Sequence, residues 1–400
     1  MPVLSRSLIL CLVGACNLNQ SGNLGATSLG DTSHPLEPGS PIAAIRAQCG
    51  DGAVLDGGTK LRREPYLQQL STTGTLLGWV TTDPDPELVS MSTGASITAT
   101  DEPGDLRSAG EKQKWATIDG LTANTTYCYT LMAGDAMMAP TGFTTPPTAD
   151  STETIRFLAF GDSGGGGSDQ LALRDQMFEF PFDFMIHTGD IAYEDGTLGQ
   201  FEDNVFAVYK ELFKNLGFYP ASGNHEYNTA GAAPFKQVFA LPGNEEWYSY
   251  DYGRIHFAAL DTEQDYATQA AWLDEDLSTT DRPWKIVYMH RPPYSSGEHG
   301  SDAGLRAKLA PILEKHGVQL VLSGHDHDYE RMVPQNGVQY IVTGGGGRGT
   351  RTVGSSSFTA FSEAVIHFVI VEVKLEELIV HAIDATGVEF DSVVVPITPA

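Results

Sequence analysis

Positive charge is scarce in this chain. Its 400 residues carry 24 Lys and Arg against 51 Asp and Glu, a formal charge of −27. A surface of that sign repels polyanions, which argues against nucleic acid and anionic lipid headgroups as partners. It does not exclude a small phosphorylated molecule, because a bound metal sets the local field at its site. Beyond the first residues no apolar run is long enough to cross a bilayer. There is no internal repeat. The glycine runs at 164–167 and 344–347 lack the Gly-Lys-Ser/Thr ending of a phosphate-cradling loop. Cysteine is rare too, at four residues, and none of the candidate site motifs contains one, which argues against a structural zinc site. What remains is a globular chain with length enough for two domains.

The N-terminus carries an address. Arg6 precedes Leu8-Ile9-Leu10-Cys11-Leu12-Val13, too short to span a bilayer but right for the apolar part of a signal peptide. Val13-Gly14-Ala15-Cys16 resembles a bacterial lipobox, in which the Cys is lipidated and becomes the new N-terminus. Residues 1–16 are therefore expected to be a signal peptide with lipobox, and the protein to be exported and anchored at Cys16. The alternative is a plain signal peptide, with a secreted or periplasmic product. Membrane contact is expected through that anchor only. Residues 17–58 read as a flexible tether, rich to about residue 45 in Ser, Gly, Asn, Thr and Pro. Cys49 and Cys128 are left either as one disulfide or as two unrelated thiols.

From 59 to 148 the chain reads as short strands broken by turns. Thr75–Thr81 and Thr126–Leu131 are examples, and Asp83-Pro84-Asp85-Pro86 is one of the breaks. That rhythm predicts a β-sandwich, closed by Thr145-Pro146-Pro147-Thr148. Over 149–400 apolar runs alternate with helix-like segments. The runs are Ile155–Phe160, Phe182–Ile186, Ile255–Leu260, Trp284–Tyr288 and Val318–Leu322; the helices are 170–179, 200–214, 269–277 and 303–316. This βα alternation implies a buried sheet covered by helices. Strands return in the tail at Gln339–Val342, Val365–Ile370 and Leu378–His381, and are expected to form a second sheet packed on the first. The fold class is therefore α+β and multi-domain, an all-β unit followed by a two-sheet α/β/β/α unit.

Five short stretches in the second unit bring metal-ligand side chains in a fixed order. They are Gly161-Asp162-Ser163-Gly164, Gly189-Asp190-Ile191-Ala192-Tyr193, Gly223-Asn224-His225-Glu226, Val287-Tyr288-Met289-His290 and Gly324-His325-Asp326-His327. Four follow an apolar run and one follows Phe218-Tyr219-Pro220. Each is expected at the C-terminal end of a strand, the edge where open α/β sheets bind ligands. Carboxylate, imidazole, amide oxygen and phenolate together suit Fe, Mn or Zn rather than Ca. Any one His or Asp taken alone is better read as structural. His187, His256, His316, His367 and His381 fit no block and are treated as structural, and Arg348 as a solvated loop residue.

These five stretches resemble the blocks of the calcineurin-like metallophosphoesterases. Tyr193 and the run Gly324–Arg331 narrow the resemblance to the purple acid phosphatases, and Leu121–Tyr129 resembles a late strand of a fibronectin type III-like domain. The resemblance implies that Asp162, Asp190, Tyr193 and His327 hold Fe(III). It implies that Asp190, Asn224, His290 and His325 hold Fe(II), Zn(II) or Mn(II), with Asp190 shared. It further implies attack on phosphorus by a metal-bound hydroxide, with His225 or His299 protonating the leaving group. Plant members of the family often have two adjacent histidines where this chain has Glu298-His299-Gly300, which is more like the mammalian form. The expected activity is hydrolysis of small phosphate monoesters. A phosphodiesterase or nucleotidase on the same site is the first alternative, and a non-catalytic surface-binding lipoprotein is the second.

Overall fold

The computed structural model describes residues 36–55, 60–83, 87–108, 110–133 and 135–397. The expected signal peptide and lipobox, 1–16, lie outside the described residues. The expected tether does not extend to 58. Ala43–Cys49 forms helix α1, with Ile45 and Cys49 buried, as is Ile42 just before it. Cys49 is bonded to Cys128, which settles the pairing left open by the sequence. A seven-residue helix with two inward positions leaves too short a periodic signal to stand out from its Ser- and Gly-rich surroundings.

The β-rich part holds β1 (Leu61–Gln68), β2 (Gly74–Thr81), β3 (Leu88–Met91), β4 (Ser96–Thr98), β5 (Thr100–Asp101), β6 (Lys112–Asp119), β7 (Thr126–Ala133), β8 (Asp135–Ala136) and β9 (Thr141–Thr144). β1, β2, β6 and β5 share one sheet, and β4, β3, β7, β8 and β9 make another. The two close over Leu67, Leu77, Trp79, Val89, Leu131 and Phe143. The first sheet does not stop at this unit. β1 pairs in parallel with a strand of the second unit, at Leu67 and Gly217, so one ten-stranded sheet runs through both.

In the second unit β10 (Ile155–Phe160), β11 (Phe184–His187) and β12 (Gly217–Pro220) are parallel neighbours. A second sheet contains β13 (Tyr248–Tyr252), β14 (Ile255–Leu260), β15 (Trp284–Met289), β16 (Leu320–Ser323), β17 (Tyr329–Met332), β18 (Gln339–Thr343) and β19 (Thr359–Glu363). Within it β14, β15, β16 and β18 are parallel. The tail strands β20 (His367–Val373), β21 (Glu377–Asp384) and β22 (Glu389–Pro396) do not build that second sheet, as expected from sequence. They return to the first one, β20 pairing antiparallel with β10. The second sheet begins earlier, at β13.

The two sheets meet through aromatic rings. Phe157 and Phe184 of the first lie edge-on to Phe257 of the second, with ring centres 5.2 and 5.5 Å apart. Helices cover the outer faces. Leu173 and Met177 of α2 (Ser168–Met177) join the first core. So do Tyr209, Leu212 and Phe213 of α4 (Ala207–Phe213), which follows α3 (Leu198–Phe201) and a π-helical turn at Glu202–Phe206. The short helices α5 (Asn224–Tyr227) and α6 (Ala233–Val238) follow β12. Over the second sheet lie α7 (Tyr266–Thr279) and α8 (Ala303–Lys315), burying Leu273, Leu277, Leu305, Leu309 and Leu313 against Val287, Met289 and Val321. Asp265 and Asp302 cap these helices by accepting the amides of Thr268 and Leu305, which stops the chain fraying where it leaves the strand edge. The parallel strands of both sheets end on the same edge of the molecule, and the five motifs leave from there.

Candidate metal centre

Each ligand candidate stands just past a strand end: Asp162 after β10, Asp190 and Tyr193 after β11, Asn224 after β12, His290 after β15, His325 and His327 after β16. The structure brings all seven together. The Tyr193 hydroxyl lies 3.1 Å from Asp162 Oδ1, from Asp190 Oδ2 and from His327 Nε2. On the other side of Asp190, His290 Nε2 lies 3.3 Å from Asp190 Oδ2, 3.1 Å from Asn224 Oδ1 and 3.1 Å from His325 Nδ1. Asp190 belongs to both groups.

The second group brings carboxylate and amide oxygens together with imidazole nitrogens. His290 Nδ1 is 3.0 Å from the Thr188 carbonyl, which can only accept, so that nitrogen carries the proton. Nε2 is then the atom turned towards the Asn224 amide oxygen and the Asp190 carboxylate. A carboxylate and an amide oxygen turned on one buried point call for positive charge there, as a proton or as a metal ion. The field agrees. Burial works against charge on His290, yet the adjacent Asp190 carboxylate outweighs it and raises His290 to about 10. Burial, Asp162 and Asp190 push the Tyr193 phenol far above its ordinary value, so it ionises only against a strong positive charge. The donors fit a pair of metal ions in chemistry and placement. Ligand atoms of Asp190, His290 and His325 all fall within 4.8 Å of one another.

The backbone is arranged around these groups. Asp162, Asp190 and His325 have φ of 57°, 53° and 70°, in the left-handed region that costs a residue with a Cβ about 1–2 kcal/mol. Their amides and carboxylates cross-brace the loops. The His325 N–H donates to Asp162 Oδ2 at 2.8 Å, and the His225 N–H donates to Asp190 Oδ1 at 2.9 Å. The glycines at Gly223 and Gly324 are required by this contact. A Cβ there would lie 2.2 Å from Asp190 Oδ1 or 2.4 Å from Asp162 Oδ2.

Several residues outside the seven ligand candidates hold the ligand loops in place. Glu226, fully buried, accepts the amides of Gly223, Asp190, Ile191 and Ala192 at 2.8–3.0 Å, so it shapes the Asp190 loop. Burial and Asp190 push its carboxyl up to about 8, against those four donors. His187 holds Ser163 Oγ at 2.9 Å and accepts the Gly189 amide at 3.1 Å, a structural role that serves two ligand loops at once. Asn204, on the π-helical turn, donates to the carbonyls of Gly164 and Tyr193. Asp326 accepts the amides of His299 and Gly300, and Glu330 that of Ser296, which fixes the loop carrying His299. Of these, Glu226 and Glu330 stand within or beside the ligand motifs, and that position is the signal that marks them in sequence.

The two candidate proton donors differ. The His225 ring lies tilted against Tyr193, with centres 4.3 Å apart, and its Nδ1 is 2.5 Å from the Glu194 carbonyl, so Nδ1 carries the proton and Nε2 faces the centre. His299 stacks on His325 at 4.2 Å, and Arg351 donates to its Nε2. Beside them a pocket of about 360 Å³ is lined by Arg291, His299, Ser301 and His325 among others. Arg348 is not simply solvated. It pairs with Glu194 and sits 5.0 Å over the Tyr193 ring.

Residues 155–329 match the calcineurin-like phosphoesterase family. A nucleotide pyrophosphatase/phosphodiesterase of Hordeum vulgare is 30% identical over 268 residues, which are 52% of this chain and 73% of that protein. Purple acid phosphatase 23 of Arabidopsis thaliana is 30% identical over 282 residues, 58% of this chain and 61% of that protein. Among solved structures, a purple acid phosphatase from yellow lupin seeds has the same fold. Its TM-score is 0.75 at 22% identity, covering 83% of this chain and 74% of that one.

Proposed function

The chain belongs to the calcineurin-like phosphoesterases, in company with the purple acid phosphatases, and from that premise we propose that it is an extracytoplasmic metal-dependent phosphomonoesterase. The observation that carries this reading is the convergence of seven ligand-type side chains into two groups sharing Asp190. Asp162, Asp190, Tyr193 and His327 would hold Fe(III). Asp190, Asn224, His290 and His325 would hold Fe(II), Zn(II) or Mn(II). When bound, the ions supply an activated water and neutralise charge on the phosphoryl oxygens.

The chain's own residues do the rest. Glu226 and the crossed carboxylate–amide bonds keep the ligand loops in place, so little reorganisation accompanies substrate binding. His225 has its Nδ1 proton committed to Glu194 O, so only the doubly protonated ring, the imidazolium, passes a proton to the departing oxygen, and it does so from Nε2. His299 cannot do this from Nε2 while Arg351 donates to that atom, because a guanidinium only donates. Export, with an anchor at Cys16, rests on the N-terminal sequence.

A second reading, phosphodiesterase or nucleotidase, is favoured by the name of the barley relative. Turnover of p-nitrophenyl phosphate, its bis ester and nucleoside phosphates by the metal-loaded protein separates the two. Activity confined to the diester overturns the monoesterase reading. Asp190→Asn is expected to remove both hydrolysis and the second metal, and hydrolysis surviving that change would defeat the shared-carboxylate scheme.

A further inference from the structure

Three arginines stand around the ligand cluster, and two of them are occupied. Arg291 is forked on Glu263, with Nε to Oε1 at 2.5 Å and Nη2 to Oε2 at 3.0 Å. Arg348 is paired with Glu194. Arg351 is different. Its Nη1 donates to His299 Nε2 and, at 3.2 Å, to the His325 carbonyl, and among the described residues no carboxylate lies within ion-pair distance of it. In a chain of charge −27 carboxylates are plentiful, so a guanidinium left without one beside a metal-ligand cluster is available to another anion.

Its position is fixed from both ends. The Arg351 amide donates to the His327 carbonyl at 2.9 Å, which ties the residue to one ligand of the first group. The ring that its guanidinium touches stacks 4.2 Å from His325, a ligand of the second group. That ring in turn is carried on a loop whose amides are held by Asp326, at 2.7 Å for His299 and 3.2 Å for Gly300. A planar guanidinium with donors only and no acceptor is the side chain best matched to a pair of phosphate oxygens.

We propose that Arg351 is a substrate-binding residue, whose guanidinium leaves His299 and takes two non-esterified oxygens of the phosphoryl group at the metal centre. The inference rests on the phosphoesterase reading of that centre. It adds a charged clamp outside the seven ligands and the two histidines, contributed by the loop between β18 and β19. The contact with His299 then acts as a parking place for a cation that has no carboxylate of its own.

The test uses the metal-loaded full-length protein, Arg351→Gln and Arg351→Lys, with inorganic phosphate as the probe. Calorimetric titration is expected to show phosphate binding weakened by about 10-fold or more in Arg351→Gln, with part of the loss recovered in Arg351→Lys. Metal content is expected to be unchanged in both. With p-nitrophenyl phosphate, KM should rise in parallel while kcat falls less. Phosphate affinity in Arg351→Gln within about twofold of the parent overturns the inference, as does a loss of phosphate binding that tracks a loss of metal. The two readings fail separately. A parent protein that binds phosphate through Arg351 but hydrolyses no ester removes the phosphoesterase function and leaves the clamp; normal hydrolysis with an indifferent Arg351 does the reverse.

Discussion

At the scale of single residues the centre is held by groups that never touch a metal. Glu226 is the clearest, since four buried amides depend on its two oxygens. Glu226→Gln replaces one acceptor with a donor facing donors. It is expected to cost about 2–4 kcal/mol in denaturant unfolding and to lower bound metal, measured by elemental analysis. Tyr193→Phe leaves the ring and removes the oxygen at 3.1 Å from three ligands. If Fe(III) sits there, the visible absorption of the loaded protein should disappear, and a colourless but active parent would reject iron. The left-handed φ of Asp162 and Asp190 decides how such positions are probed. Asn tolerates that backbone better than other side chains, so Asp→Asn reports on charge, whereas Asp→Ala mixes charge with strain. Away from the site, His256 sits between Asp251 and Asp276, each at 2.8 Å. Burial alone would lower its pKa, but the two carboxylates raise it to about 9. A raised folded-state value stabilises fully below the unfolded value of about 6.5 and is lost as pH climbs through 9. With Asp251 half exposed and screened, the contribution is about 2 kcal/mol, and His256→Gln should flatten stability between those two pH values.

At the scale of elements, the strands that anchor the ligands were mostly legible because their apolar runs are continuous. Ile155–Phe160 and Ile255–Leu260 coincide with β10 and β14. β12 was not, since Gly217-Phe218-Tyr219-Pro220 is four residues long with a Gly and a Pro, yet it positions Asn224. The motif there was found from its polar residues rather than from its strand. Gln200–Lys214 reads as one helix but is α3, a π-helical turn and α4, and the turn is what carries Asn204 to the Tyr193 loop. Partnership between distant strands was not legible at all. Nothing local in His367–Val373 says that it pairs with β10 rather than with β18, because the choice is made by the face-to-face packing of two buried sheets. Helix α1 and its disulfide are likewise a tertiary matter. The bond spans 79 residues and joins α1 to β7. Its removal in Cys128→Ser is expected to cost about 2–4 kcal/mol of stability without changing kcat, because it touches no ligand.

At the scale of the whole molecule, the ten-stranded sheet joins the β-rich unit to the phosphoesterase unit. Arg63 of β1 reinforces the joint, bonded to Glu202 of the π-helical turn and to Gln113 of β6. Calorimetry of the metal-free protein should therefore give one unfolding transition. Two well-separated transitions would show that the shared sheet does not couple the units. The placement of the ligands has a further mechanical consequence. Asp162, Asp190, Tyr193 and Asn224 hang from the first sheet, while His290, His325 and His327 hang from the second. Neither proposed ion could be held by one sheet alone. Each would be a bolt across the seam between them, and the reaction centre would double as the fastening that keeps the two halves of the core in register.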